Sequence, residues 1–81
     1  MTIAEIEHCI KVFLVETLKL DNDVLYTDAN LKSDIGLTSI DFLDIRMFVE
    51  KTFGWKMTRE DILCLNTLSD LYISIRKHIT E

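Results

Sequence analysis

Eighty-one residues, 48% of them hydrophobic and 28% charged, specify a single globular domain over residues 1–81 with a small core and no room for a deep catalytic cleft. A net charge of −5 argues against nucleic acid, whose phosphates require a basic face, and no apolar run approaches the ~20 residues of a membrane span. Glu5 and Glu7 do not suit a signal peptide or an Arg-rich transit sequence, so a cytoplasmic monomer is expected.

Pro is absent and Gly occurs only at 36 and 54. The apolar residues recur at helical spacing, which predicts an all-α four-helix bundle with three longer helices, one short helix and a long loop between helices 1 and 2. Each helical stretch opens on a hydroxyl residue followed three positions later by an acid: Thr2–Glu5, Thr38–Asp41, Thr58–Asp61 and Thr67–Asp70. In such a capping box the hydroxyl accepts an orphan N–H of the first turn and the acid accepts the N–H of the cap.

The first helix is predicted from about residue 3 to 19, with Ile3, Ile6, Ile10, Phe13, Leu14 and Leu18 facing inward. Residues 20 to 37 form a connection longer than helix–helix joins require. Its apolar residues Leu20, Val24, Leu25, Tyr26, Leu31, Ile35 and Leu37 imply that it packs across the bundle. The second helix spans roughly 39 to 52, with Phe42, Ile45 and Val49 on its core stripe, and stops near Gly54, suited to a left-handed C′ position. A short third helix follows at about 59 to 64, carrying Ile62, Leu63 and Leu65. The last, about 68 to 79, buries Leu68, Leu71, Tyr72, Ile75 and Ile79.

Cys9 and Cys64 lie inside apolar helical patterns and read as reduced, buried thiols. With His8 and His78 they lack the clustered spacing of a metal site. Asp21, Asn22, Asp23 and Asp28 begin like a calcium loop, but Tyr26 stands where its glycine belongs and Lys32 where its glutamate belongs. No metal is expected.

Between residues 21 and 44 six aspartates face Lys32 alone, so this segment holds the chain's whole excess of negative charge and would steer a basic partner. Inside it runs Asp34-Ile35-Gly36-Leu37-Thr38-Ser39-Ile40-Asp41-Phe42-Leu43-Asp44. Gly36 permits a tight turn and Thr38 is a good N-cap. Ser39 then falls at the first helical position, where the positive helix end favours an attached phosphate. Ser39 acting as a plain cap is the competing reading of that residue alone.

The segment resembles the attachment motif of acyl carrier proteins, in which an acid, a glycine and an Asp-Ser-Leu run precede a helix. Asp34, Gly36, Ser39, Ile40 and Asp41 match it in order, and Glu50, Phe53, Gly54, Thr58–Asp61 and Thr67–Ile75 extend the resemblance over most of the chain. It implies a carrier rather than an enzyme, with 4'-phosphopantetheine moved from coenzyme A to Ser39 by a separate phosphopantetheinyl transferase and an acyl or aminoacyl cargo held as a thioester. No Ser-His-Asp constellation accompanies Ser39, consistent with the activating groups belonging to the transferase.

The resemblance also implies that the second helix is read by an acyl-activating enzyme, synthase or transferase with a basic docking patch. Thr38, Asp41, Asp44 and Glu50 are then the polar recognition residues, with Ile40, Leu43 and Met47 as apolar contacts; for these three burial is the competing reading. Val49, Met57, Ile62 and Leu65 are candidates to line an acyl pocket, and equally candidates for plain core. Thr38 replaces the motif's usual Asp, Arg46 and Lys51 add positive charge to the second helix, and Phe48 and Trp55 are bulkier than expected, all suggesting a specialised carrier. The alternative is a protein-interaction module that keeps the carrier fold without the prosthetic group.

Overall fold

A computed structural model describes residues 2–79, and among them the chain forms four α-helices and one short 3-10 turn, Asn22–Val24, in the connection after the first. The helices are α1 (Ile3–Glu16), α2 (Ser39–Phe53), the short α3 (Arg59–Leu63) and α4 (Leu68–Ile79). All four capping boxes form. Thr2, Thr38 and Thr58 each accept the N–H of the acid three residues on, and that acid's carboxylate accepts the cap's own N–H. At α4 the Thr67 and Asn66 N–H groups both donate to Asp70 Oδ2 (3.1 and 3.0 Å), while the Asp70 N–H donates to Thr67 Oγ1. Each cap satisfies donors that the first turn of a helix otherwise leaves open, a contribution of about 1 kcal/mol per helix.

α1 ends at Glu16, three residues short of the expected end. Lys19 takes a left-handed conformation (φ 60°), uncommon for a residue with a side chain, and the Leu20 N–H turns back to the Leu14 carbonyl at 3.1 Å. The reversal places Leu18 and Leu20 against the edge of the core, so apolar periodicity runs past the helix itself. α2 ends where Gly54, at φ 78°, donates its N–H to the Glu50 carbonyl.

The long connection is held down by backbone bonds to the α3–α4 link and to the start of α4. The Leu31 N–H donates to the Asn66 carbonyl (2.8 Å), and the Leu68 and Ser69 N–H groups donate to the Ala29 and Thr27 carbonyls. Leu25, Ala29, Leu31, Ile35 and Leu37 are buried along it. Tyr26, expected inside, is 52% exposed. Its hydroxyl bonds to Asp34, which with desolvation holds the phenol above its ordinary range.

The core is one continuous cluster drawn from every helix except α3 and from the connection, with Ile6, Ile10, Leu14, Val49, Leu68 and Ile75 wholly enclosed. Truncating one of the large aliphatic members to Ala should cost about 2–5 kcal/mol. Tyr72 is buried with its hydroxyl unpartnered among the described residues, and burial, then the charge of Glu7, pushes that group strongly upward.

The two bulky departures of the sequence have packing roles. Phe48 stacks on Phe13 (centroids 4.3 Å apart), joining α2 to α1, and Trp55 stacks on His78 (4.0 Å), joining the segment after α2 to the end of α4. The cysteines depart from expectation: Cys9 is only partly buried and Cys64 is exposed. Cys64 caps the end of a five-residue helix, too short to turn a whole apolar face inward, and neighbouring Leu63 is also 62% exposed.

Candidate functional site

The site is built from the start of α2. Gly36, at φ 81°, makes the turn that brings the chain out of the connection, and the Leu37 N–H closes it onto the Leu31 carbonyl. Asp34 belongs to the same scaffold, since its carboxylate accepts the Asn30 N–H at 2.8 Å. Thr38 then adopts extended backbone and caps the helix: its Oγ1 accepts the Asp41 N–H at 3.2 Å and its N–H donates to Asp41 Oδ2 at 3.0 Å.

Ser39 follows as the first residue of α2 and is exposed. Its hydroxyl has no hydrogen bond among the described residues. The cap has gone to Thr38, and Ser39 stands free at the positive end of a 15-residue helix, beside N–H groups that have no partner within α2.

An open groove of about 640 Å³ begins at Thr38 and Ser39 and runs between α2 and α3. Leu37, Phe42 and Leu43 form one apolar wall; Ile62 and Leu63 form the other. Lys32, Arg46 and Arg59 complete the lining, and no acid contributes to it. Arg46 is held in place by donating Nε and Nη2 to the Met57 carbonyl at 3.2 and 3.0 Å. An exposed hydroxyl at a positive helix end, opening onto a partly apolar groove, fits a phosphate-linked arm with an apolar load.

Of the four acyl-pocket candidates only Ile62 lines this groove, while Val49, Met57 and Leu65 are buried in the core. Of the recognition candidates, Thr38 and Leu43 also line this groove, while Ile40, Asp41, Asp44, Met47 and Glu50 do not. Ile40, Leu43 and Met47 are 72, 51 and 63% exposed, a continuous apolar strip at helical spacing. Asp44, Met47 and Glu50 border a second, shallower groove with Phe13, Phe48 and Lys51. Asp41 is half-buried and its carboxylate accepts the Thr38 N–H.

Sequence reasoning missed Lys32 and Arg59 as groove residues. One signal was available for Arg59: it occupies the first position of α3, where the helix dipole disfavours a cation. Among the described residues no group of His, Cys, Asp and Glu is arranged to hold a metal, and no helix is long and apolar enough to cross a membrane.

A family model described as "Phosphopantetheine attachment site" matches residues 10–75. The chain is 32% identical over 78 residues to an acyl carrier protein of Lactobacillus johnsonii, covering 96% of this chain and 98% of that one. It is 33% identical over 69 residues to an acyl carrier protein of Onion yellows phytoplasma, covering 85% and 91%. The chain therefore belongs to the acyl carrier protein family, carriers rather than enzymes, which bear a covalent 4'-phosphopantetheine.

Proposed function

We propose that Ser39 is the attachment point and that this carrier presents acyl chains to the enzymes of an acyl-building pathway. The observation that supports this most is the division of labour at the start of α2, where Thr38 supplies the cap and leaves the Ser39 hydroxyl exposed and unbonded among the described residues. Within a partner transferase, Ser39 Oγ loses its proton and bonds to the pantetheine-side phosphorus of coenzyme A as the bond from that phosphorus to 3',5'-ADP breaks. The arm, once bound, supplies a thiol that holds cargo as a thioester.

The chain's own part is to hold the serine at a positive helix end, to offer an apolar wall of Leu37, Phe42, Leu43, Ile62 and Leu63, and to be recognised. That wall favours an acyl chain over a small aminoacyl group, because methylenes leave water on contact with it. The exposed strip of Ile40, Leu43 and Met47, flanked by Asp44 and Glu50, suits an apolar contact ringed by basic residues of the transferase, synthase or acyl-activating enzyme.

Incubation with coenzyme A and a phosphopantetheinyl transferase, followed by intact-mass measurement, tests the assignment. The expected result is a single phosphopantetheine mass gain in the native chain and none in Ser39→Ala. A gain retained in Ser39→Ala moves the attachment elsewhere. No gain with any of several transferases favours an interaction module without the prosthetic group.

A further inference from the structure

We propose that the groove beside Ser39 selects cargo whose far end is a carboxylate, so that the acyl chains carried here are of the dicarboxylic class. The proposal rests on Ser39 being the attachment point. The chain as a whole carries −5, yet this groove gathers three cations and no acid. Lys32 comes from the long connection, Arg46 from α2 and Arg59 from α3, so three separate elements converge on the same space.

Neither Lys32 nor Arg59 makes a side-chain hydrogen bond or ion pair among the described residues, although acids outnumber bases in the chain. Arg46 is fixed by the Met57 carbonyl through Nε and Nη2, two of its five N–H donors. Its guanidinium is thus oriented in advance, and the cost of ordering it on a ligand falls.

Between these cations lies apolar surface. A plain hydrocarbon chain would cover that surface but bring nothing to the cations, and could strip water from them without compensation. A chain ending in a carboxylate satisfies both features, with methylenes on Leu37, Phe42 and Ile62 and charge-assisted hydrogen bonds at its end. The phosphate of the arm is the other anion within reach of the groove, and the experiment separates the two.

The chain is loaded by a phosphopantetheinyl transferase from adipoyl-coenzyme A or from hexanoyl-coenzyme A, which match in length and differ in the terminal carboxylate. Intact mass confirms loading of each form and of each variant, and thioester hydrolysis and the guanidinium NMR signals of Arg46 and Arg59 are then compared. The expected result is slower hydrolysis of the adipoyl form, by about threefold as one partly exposed ion pair allows, with guanidinium shifts that the hexanoyl form lacks. The double variant Lys32→Gln/Arg59→Gln should reduce the difference, as should added salt. Equal lifetimes and equal shifts in two fully loaded forms overturn the carboxylate selectivity while leaving Ser39 in place. Shifts of the same size in the chain bearing the arm alone assign the cations to the phosphate and also overturn it. No loading from either thioester or from coenzyme A removes the attachment reading and this inference together.

Discussion

Arg46 and the Met57 carbonyl, eleven residues apart, are joined by two hydrogen bonds of 3.2 and 3.0 Å. The contact ties the middle of α2 to the segment entering α3 and so sets the width of the groove between them. Replacing Arg46 by Leu should cost about 1–3 kcal/mol, as loss of a charged donor to a partly buried acceptor does. Arg46→Lys should not restore it, because an ammonium cannot present the two-pronged edge. Urea denaturation measures the loss, and amide exchange across residues 57–63 should quicken in both variants. Unchanged exchange there would show that α3 is held by its apolar contacts alone.

Thr38 offers a second test, one that separates structure from chemistry. Thr38→Ala removes the cap and should lower stability by about 1 kcal/mol, whereas Thr38→Asp retains a capping oxygen and should cost little. If Ser39 carries the arm, both variants should still gain the phosphopantetheine mass. A Thr38→Ala chain that melts like the native one would mean Ser39 can take over the cap.

Acid should loosen the start of α3 in a defined direction. The Thr58 backbone N–H, 2.8 Å from Asp61 Oδ2, holds the Asp61 carboxyl below its ordinary value of 3.8, helped by the Thr58 hydroxyl and the charge of His78 against slight desolvation. The charged form is therefore favoured by folding. Its contribution is complete above the ordinary value and disappears as pH falls through the lowered one. Glu5 follows the same rule through Thr2. Urea midpoints recorded from pH 7 down to acid should fall less steeply for Asp61→Ala than for the native chain, and parallel curves would remove Asp61 from the acid response.

The outer face of α2 should tolerate change without loss of fold. Met47 is 63% exposed, so Met47→Ala should alter stability by no more than about 0.5 kcal/mol. As a contact of the apolar strip it should nonetheless lower transferase kcat/KM, and Asp44→Asn should do so chiefly at low salt. Native transferase kinetics in both variants would put recognition elsewhere.

The helices and their caps were legible in the sequence because both depend on residues three or four positions apart. Thr2, Thr38, Thr58 and Thr67 each announce a helix start with an acid that the structure pairs to them. Contacts made across the fold were not. Arg46 read as a charge added to a partner-facing surface, and nothing near it in the sequence pointed to the Met57 carbonyl. Phe48 and Trp55 read only as bulky, because their stacking partners Phe13 and His78 lie far off in the chain. Cys64 and Leu63 followed an apolar pattern that a five-residue helix cannot turn wholly inward. Lys32 and Arg59 had no reason to be read together until the connection and α3 were set side by side.

Trp55 is the chain's single tryptophan, and its ring lies nearly parallel to His78, 10° between planes. Indole emission depends on what lies against the ring, so this contact makes the protein its own optical gauge. Fluorescence of this one indole reads the closeness of the post-α2 segment to the end of α4, with no added label. A load that pries the bundle open would announce itself as a change in that light.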